Sequence, residues 1–127
     1  MTRGDAGYVF IIDDDPDVRE AIAEVLEDVG YRTMGAGNGE EALRTLRSVS
    51  TMPCLILLDI MMPVMDGRQF RAEQRVDPRL SAIPVVVVTA HAGPGDTTEE
   101  IDAAEHLSKP IRVERLLSTV GKFCEDC

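Results

Sequence analysis

The chain has 127 residues, 44% of them hydrophobic, which suffices for one domain with a buried core and is too short for two comfortable ones. Its formal net charge of -10 argues against direct nucleic-acid binding, which requires a basic surface. No apolar run approaches the roughly 20 residues of a membrane span, and the polar N-terminus lacks a signal-peptide core, so we expect a cytoplasmic protein.

Five apolar runs are predicted to be strands, and segments with helical periodicity separate them. The predicted strands are residues 8–13, 31–36, 54–59, 83–89 and 106–109. A start signal marks each helix. In chain order these signals are Asp15-Pro16, Asn38-Gly39-Glu40-Glu41, Asp66-Gly67-Arg68-Gln69, Thr97-Thr98-Glu99-Glu100 and Pro110. Strand and helix alternating five times predicts an α/β fold, with a doubly wound parallel sheet covered on both faces.

Carboxylates follow two of the predicted strands. Asp13-Asp14-Asp15 comes directly after the first apolar run, and Asp59 closes the third. In an open parallel sheet the carboxyl ends of the strands form the edge where ligands bind. If the two strands are neighbours, several negative charges meet there, which is costly unless a cation joins them. The sequence therefore predicts a hard divalent metal beside one reactive carboxylate.

Four strand ends carry polar groups: Asp13-Asp14, Asp59, Thr89-Ala90 and Lys109-Pro110. Together with the stretch from Leu58 to Gly67, Leu-Asp-Ile-Met-Met-Pro-Val-Met-Asp-Gly, they resemble in order and spacing the receiver domain of two-component response regulators. An Asp-Asp pair alone would be weak support, whereas the four together are a strong signal. The resemblance covers essentially the whole chain. It implies one receiver domain over residues 1–127, with 1–7 as a flexible tail and a flavodoxin-like five-stranded sheet of order 2-1-3-4-5.

The resemblance also implies a magnesium-dependent phosphoacceptor. Asp59 would take a phosphoryl group from a sensor histidine kinase or a histidine phosphotransfer protein. Mg²⁺ would be bound directly by Asp14 and Asp59, with Asp13 acting through water and the backbone carbonyl of Met61 completing the protein ligands. On this interpretation the chain is a signalling protein, not an enzyme, and catalyses only its own phosphorylation and dephosphorylation.

Further residues are expected to contact the phosphoryl group or to transmit the signal. Lys109 would pair with one phosphoryl oxygen, and the Thr89 hydroxyl with another, beside the backbone N–H of Ala90. Receivers shift between two states as an aromatic side chain, three residues before the lysine, turns inward. That position is His106 here, so we expect His106 to be the switch residue. The alternative, a surface histidine on an edge strand, stays open. His91 is interpreted as a solvated loop residue.

The chain departs from the family pattern between Thr89 and Lys109. This segment is a residue or two short and lacks the usual Gly-Ala turn, so we expect the helix predicted at 97–100 to be shortened or displaced. That leaves dimerisation and oligomeric state open. No DNA-binding output domain is expected in this chain, which is either a stand-alone receiver that signals by contact or a piece of a larger protein. The expected partner for its signal is a downstream protein target, not a membrane or nucleic acid. The Lys109–Pro110 peptide bond is expected to be cis, as in relatives.

The three cysteines are not expected to form a disulfide framework in a cytoplasmic chain. Cys54 is predicted to be a small buried hydrophobic residue at the start of a strand. Cys124 and Cys127 form a Cys-x-x-Cys pair that could be redox-active or bind metal. However, the pair follows a helix, whereas a reactive pair favours the start of one, where the helix dipole lowers the thiol pKa.

Two other functions remain as alternatives. Phosphatases of the haloacid dehalogenase type also place Asp-x-Asp after the first strand, as in Asp13-x-Asp15. Against this, Asp17 stands where a threonine is expected, and Asp59 goes unexplained. The second alternative is a phosphorylation-silent receiver that only docks other proteins. The intact acidic, hydroxyl and lysine positions argue against it.

Overall fold

The computed structural model describes residues 7–90 and 103–124. Its strands are β1 (Tyr8–Ile12), β2 (Arg32–Ala36), β3 (Leu55–Asp59), β4 (Val85–Thr89) and β5 (Glu105–Ser108). Its helices are α1 (Pro16–Asp28), α2 (Gly39–Ser48), α3 (Gly67–Val76) and α4 (Val113–Phe123). All five predicted strands are confirmed within two residues of their predicted ends. The helix predicted at 97–100, residues 1–6 of the predicted tail, His91 and Cys127 lie outside the described residues.

All strand pairs are parallel, and the sheet has the order β2-β1-β3-β4-β5. Ile12 lies opposite Ala36 on one side and Leu58 on the other, so β1 and β3 end at the same edge of the sheet. Thr89 lies opposite Ser108, which brings the ends of β4 and β5 to that edge as well. The predicted doubly wound α/β fold and its strand order are confirmed.

The central strands β1, β3 and β4 are buried along their whole length because helices cover both faces of the sheet. On one face, Phe10 and Ile56 pack in a cluster with residues of α2 and α3, among them Phe70. On the other face, Ile11 and Leu57 pack with residues of α1 and α4. Full burial of each large apolar side chain contributes about 1.5–3 kcal/mol. Among the described residues, no helix has the length and apolarity needed to cross a bilayer.

Side-chain caps begin the first three helices as predicted. The carboxylate of Asp15 accepts a hydrogen bond from the backbone N–H of Asp17 at 2.9 Å, and Pro16 takes the first helical position. Asn38 caps α2 in the same way. Asp66 and Gln69 form a reciprocal capping box at α3, with bonds of 2.9 and 3.0 Å. Each cap satisfies backbone donors that the helix leaves unpaired.

The start of the last helix corrects a prediction. Pro110 was expected to open this helix, but α4 begins at Val113 with Arg112 as its N-terminal flanking residue. The Lys109–Pro110 peptide bond is cis, as expected. It forms part of the turn between β5 and α4, so the proline precedes the helix by three residues.

The cysteines correct a second prediction. Cys54 was expected to be a small buried hydrophobic residue, but it is only partly buried and forms a disulfide bond with Cys124, with a Cα–Cα distance of 5.5 Å. The two cysteines meet because α4 packs on the face of the sheet that contains Leu55 and runs antiparallel to the strands, which places its carboxyl end near the start of β3. The two residues are 70 positions apart in the sequence, and only the tertiary fold brings them together.

Candidate metal centre and reactive carboxylate

Three carboxylates meet at the carboxyl edge of the sheet. Asp13 and Asp14 follow β1, Asp59 ends β3, and each offers an oxygen within 4.8 Å of the others. Asp13 and Asp59 are only 2% and 6% exposed, whereas Asp14 is open to solvent. The adjacency of β1 and β3 in the sheet produces this cluster, because neighbouring parallel strands end side by side.

Lys109 is the cation nearest to the cluster among the ion pairs of the described residues. Its Nζ donates to Asp13 Oδ2 at 2.7 Å and lies 3.7 Å from Asp59 Oδ2. The backbone N–H of Lys109 also donates to the carbonyl of Thr89 at 3.0 Å, which holds the end of β5 against β4. Burial alone would lower the pKa of Lys109, but its hydrogen bond to Asp13 and the nearby charge of Asp59 outweigh burial and raise it. The side chain is therefore a fixed positive charge between two carboxylates.

The environment of Asp59 raises its pKa to about 6. Burial is the largest cause, and the charges of Asp13 and Asp14 act in the same direction. Lys109 and a hydrogen bond from the backbone N–H of Met61 act against them without restoring the ordinary value. The site thus carries more negative charge than its lysine neutralises. A hard divalent cation with oxygen ligands, such as Mg²⁺, fits both this excess charge and the all-oxygen donor set.

Hydrogen bonds hold both the side chain and the backbone of Asp13. Its Oδ1 accepts a hydrogen bond from the backbone N–H of Asp15 at 2.9 Å, opposite the bond from Lys109 to Oδ2. Its backbone carbonyl accepts one from Arg19 Nη1 at 2.6 Å. Arg19 reaches it by passing over Gly35, where an added Cβ would lie 3.3 Å from the arginine Cδ. The geometry of Asp13 is therefore set before any ligand arrives.

Arg19 was not among the site residues predicted from the sequence. A basic residue one turn into the first helix is ordinarily interpreted as a solvated charge. The small residues of β2 that make room for its side chain lie in a different element of the chain. The available signal was indirect, since Gly35 interrupts an otherwise ordinary strand.

The loop after β3 shapes the other side of the cluster. The backbone N–H of Gly67 donates to the carbonyl of Ile60 at 2.9 Å, which folds the loop back on the strand. A Cβ at Gly67 would lie 2.6 Å from the carbonyl oxygen of Asp59, so only glycine allows this close approach. The Met61 side chain is 66% exposed, and its backbone lies beside the Asp59 carboxylate. The role predicted for the Met61 carbonyl remains a prediction.

The remaining predicted residues lie on β4 and β5. Thr89 is buried at the end of β4, and Ala90 follows it with an exposed position. His106 lies on β5 opposite Val87, is half-buried, and has its Nε2 3.4 Å from Ser108 Oγ. The register of β4 and β5 places His106 and Thr89 on the same face of the sheet. Neither residue is part of the carboxylate cluster. Because β5 is an edge strand, His106 is compatible both with a switch residue and with a surface histidine.

An apolar cleft of about 580 Å³ adjoins the site between α1 and α4. Its lining residues include Val18, Ile22 and Val25 from α1, together with Ala90, Lys109 and Pro110 from the edge of the site. The cleft thus connects the carboxylate cluster to an open apolar surface.

Known proteins are similar to this chain in both sequence and fold. The sequence matches the family described as "Response regulator receiver domain" over residues 9–121. The response regulator Rre1 of Synechocystis sp. is 36% identical over 115 residues, which cover 88% of this chain and 49% of Rre1. The polar-differentiation response regulator DivK of Brucella anthropi is 33% identical over 120 residues, covering 93% of this chain and 96% of DivK.

A solved structure extends this similarity to three dimensions. The phosphorylated cyanobacterial phytochrome response regulator RcpA superposes with a TM-score of 0.78 at 27% identity, over 93% of each chain. This chain thus spans about half the length of some curated relatives and nearly all of others.

Proposed function

The chain belongs to the response regulator receiver domain family, and on that basis we propose that it accepts a phosphoryl group on Asp59 in two-component signalling. The observation that carries the proposal is the convergence of Asp13, Asp14 and Asp59 within 4.8 Å, with Lys109 held between two of them. RcpA, a similar protein, is itself described as phosphorylated, which supports the same chemistry here.

Asp59 is the nucleophile in this proposal. One of its carboxylate oxygens attacks the phosphorus of a phosphohistidine, the P–N bond breaks, and the histidine nitrogen of the donor leaves with the bonding electrons. Because the pKa of Asp59 is about 6, most of the side chain is ionised and able to attack at neutral pH. Its near-complete burial limits competing contacts with water.

The remaining site residues orient the group and offset its charge. The proposed ligands of Mg²⁺ are Asp13 through water, Asp14 and Asp59 directly, and the Met61 carbonyl. When bound, Mg²⁺ neutralises charge on the phosphoryl oxygens. Lys109, already within 3.7 Å of Asp59 Oδ2, pairs with one phosphoryl oxygen as a point charge.

Two groups on the far side of the phosphoryl group complete the site in this proposal. The hydroxyl of Thr89 and the backbone N–H of Ala90 donate to its remaining oxygens. The position of Thr89 at the end of β4, one residue beyond the pairing of Asp59 with Val88, supports this assignment.

We propose a histidine kinase or a histidine phosphotransfer protein as the donor, and a cytoplasmic location in which it would meet this chain. The apolar cleft along α1, at Val18 and Ile22, reaches Lys109 and Pro110 and offers a surface on which a donor helix could pack. Beyond its own phosphorylation and dephosphorylation, the chain would catalyse no reaction. Its signal would pass to a downstream protein by contact.

Incubation with acetyl phosphate and Mg²⁺, followed by intact-mass measurement, tests the proposal. We expect the wild-type chain to gain one alkali-labile phosphoryl group and Asp59→Asn to gain none. Asp17→Asn is the matched control, because it removes an exposed carboxylate of α1 outside the cluster and should leave the adduct intact.

Each alternative function gives a different result in this experiment. Sustained hydrolysis of phosphate esters that depends on Asp13 but not on Asp59 would indicate a phosphatase. No adduct on the wild-type chain, with Mg²⁺ present, would indicate a silent docking module. An adduct that persists in Asp59→Asn would refute the assignment of the acceptor.

A further inference from the structure

The disulfide bond lies at the edge of the sheet opposite the carboxylate cluster. Cys54 directly precedes β3, and Cys124 directly follows α4. Asp59 ends the same five-residue strand that Cys54 precedes, so about 17 Å of strand separates the disulfide from the acceptor. The bond is therefore too distant to take part in the chemistry at Asp59.

The two cysteine residues differ in how deeply they are buried. Cys124 is 2% exposed, its backbone N–H donates to Val120, and it packs in the cluster beneath α4. Cys54 is only partly buried, and its backbone N–H donates to the carbonyl of Tyr8 at 2.9 Å. Of the two residues, Cys54 is therefore the one from whose side a soluble reductant would approach the bond.

The bond secures one end of a helix whose other end leads to the site. Leu116, Val120 and Cys124 recur at four-residue spacing and are each at most 2% exposed, so they form the inward face of α4 and its end. At its amino side, α4 follows the short turn after Lys109, which is bound to Asp13. Apolar packing and Lys109 hold α4 at one end, and the disulfide adds a covalent tie at the other.

We propose that Cys54 and Cys124 form a redox-responsive clamp on the carboxyl end of α4. Reduction by a dithiol transfers two electrons and two protons to the disulfide, which becomes two thiols while the dithiol becomes a disulfide. The carboxyl end of α4 is then released from β3, and the phosphoacceptor site stays in place. A small-molecule disulfide such as glutathione disulfide reverses the reaction by thiol–disulfide exchange and is itself reduced to two glutathione thiols.

The chemistry of the compartment favours a reversible bond over a permanent one. Disulfides in reducing compartments are rare, and those that form are usually transient or redox-sensing. This step rests on the proposed cytoplasmic location. The clamp itself depends on the pairing of Cys54 with Cys124, and the experiments that test it do not require phosphorylation.

Peptide mass spectrometry without reduction tests the pairing. After equilibration with glutathione disulfide, we expect Cys54 and Cys124 to be cross-linked in the wild-type chain and in Cys127→Ser. Dithiothreitol should make both alkylatable, and renewed oxidation should restore the bond. If Cys54 stays alkylatable under oxidising conditions, or if Cys124 pairs with Cys127 instead, the clamp is refuted.

The melting temperature and hydrogen exchange test what the clamp does. Because the bond closes a loop of about 70 residues, reduction should lower the melting temperature by about 10 °C. The last turn of α4 should exchange its amide hydrogens at least about tenfold faster, while α1 stays unchanged. Cys54→Ala and Cys124→Ala should not respond to dithiothreitol, whereas Cys127→Ser should respond like the wild type.

The acetyl phosphate adduct on Asp59 is measured in both redox states and should form at similar rates. A cross-link whose reduction leaves exchange in α4 unchanged would refute the clamp, because the bond would then hold nothing. Loss of the Asp59 adduct in both redox states would refute the proposed phosphoacceptor and leave the result for the clamp intact.

Discussion

At the scale of single residues, the site depends on how few positive charges face its carboxylates. Lys109 is shared between Asp13 and Asp59 and cannot neutralise both. Arg19 binds the backbone of Asp13 and not its carboxylate, so it orients this residue without cancelling its charge. Burial is the main cause of the raised pKa of Asp59, and the residual repulsion from Asp13 and Asp14 raises it further. The same repulsion favours binding of a cation.

The pKa of Asp59 predicts how stability depends on pH. In the folded chain this pKa is about 6, against an ordinary 3.8, so between these values the folded state binds more protons than the unfolded state. The contribution of Asp59 to stability therefore falls as pH rises from about 4 to about 6. Above that range, ionised Asp59 costs the fold up to about 3 kcal/mol.

Urea unfolding of Asp59→Asn without divalent metal measures this cost. At pH 7 we expect the variant to be about 1–3 kcal/mol more stable than the wild type, and at pH 4 the difference should largely disappear. Asp17→Asn, which leaves the buried cluster intact, serves as the control. A variant less stable than the wild type at pH 7 would contradict the electrostatic account of Asp59.

At the scale of elements, β5 is an edge strand that buries little apolar surface and leads into the turn that contains Lys109. Leu107 is its one fully buried side chain, whereas Glu105 and His106 are half-buried and Ser108 is exposed. The strand is tied to β4 through the bond from Lys109 to the Thr89 carbonyl. An edge strand with little buried apolar surface can shift at low free-energy cost, which suits an element that transmits a signal.

We expect a substitution at His106 to affect signal output more than phosphorylation. We expect His106→Ala to leave the rate of phosphorylation by acetyl phosphate within about twofold of wild type while removing most of the phosphorylation-induced change in the amide NMR signals of β5. His106→Tyr should retain that change, and Ser108→Ala serves as the neighbouring control. An equal loss of phosphorylation and of the spectral response in His106→Ala would argue against a switch role.

At the scale of the whole molecule, the net charge of -10 and the carboxylate cluster both favour cations, but in different ways. The overall charge attracts any cation and is screened by salt. The cluster brings three carboxylates together, and two of them are buried. It therefore favours a small divalent ion. These two effects can be separated by experiment.

We expect Mg²⁺ well above its dissociation constant to raise the free energy of unfolding of the wild type by about 1–3 kcal/mol, because it binds the folded cluster. Sodium chloride at matched ionic strength should give little of this effect. Asp14→Asn should lose most of the Mg²⁺ response, and Asp17→Asn should keep it. Equal stabilisation by Mg²⁺ and by sodium chloride at matched ionic strength would mean that Mg²⁺ only screens the overall charge, and would contradict specific binding at the cluster. Denaturant titrations followed by circular dichroism provide the measurement.

The resemblance to receiver domains implied the order of the strands in the sheet. The amino-acid pattern alone was enough to predict the alternating elements and the carboxylates at the ends of β1 and β3. Those features follow from short-range rules: periodicity of apolar residues, helix caps such as Asp15 and Asp66, and the tendency of parallel strands to present their carboxyl ends together. Three features arose only in the folded chain: the Cys54–Cys124 bond, the reach of Arg19 across Gly35 to Asp13, and the raised pKa of Asp59. Each depends on residues that are distant in sequence or on the removal of water from a charge. Such distances and burial are set by packing of the whole sheet and its helices, which local patterns do not encode.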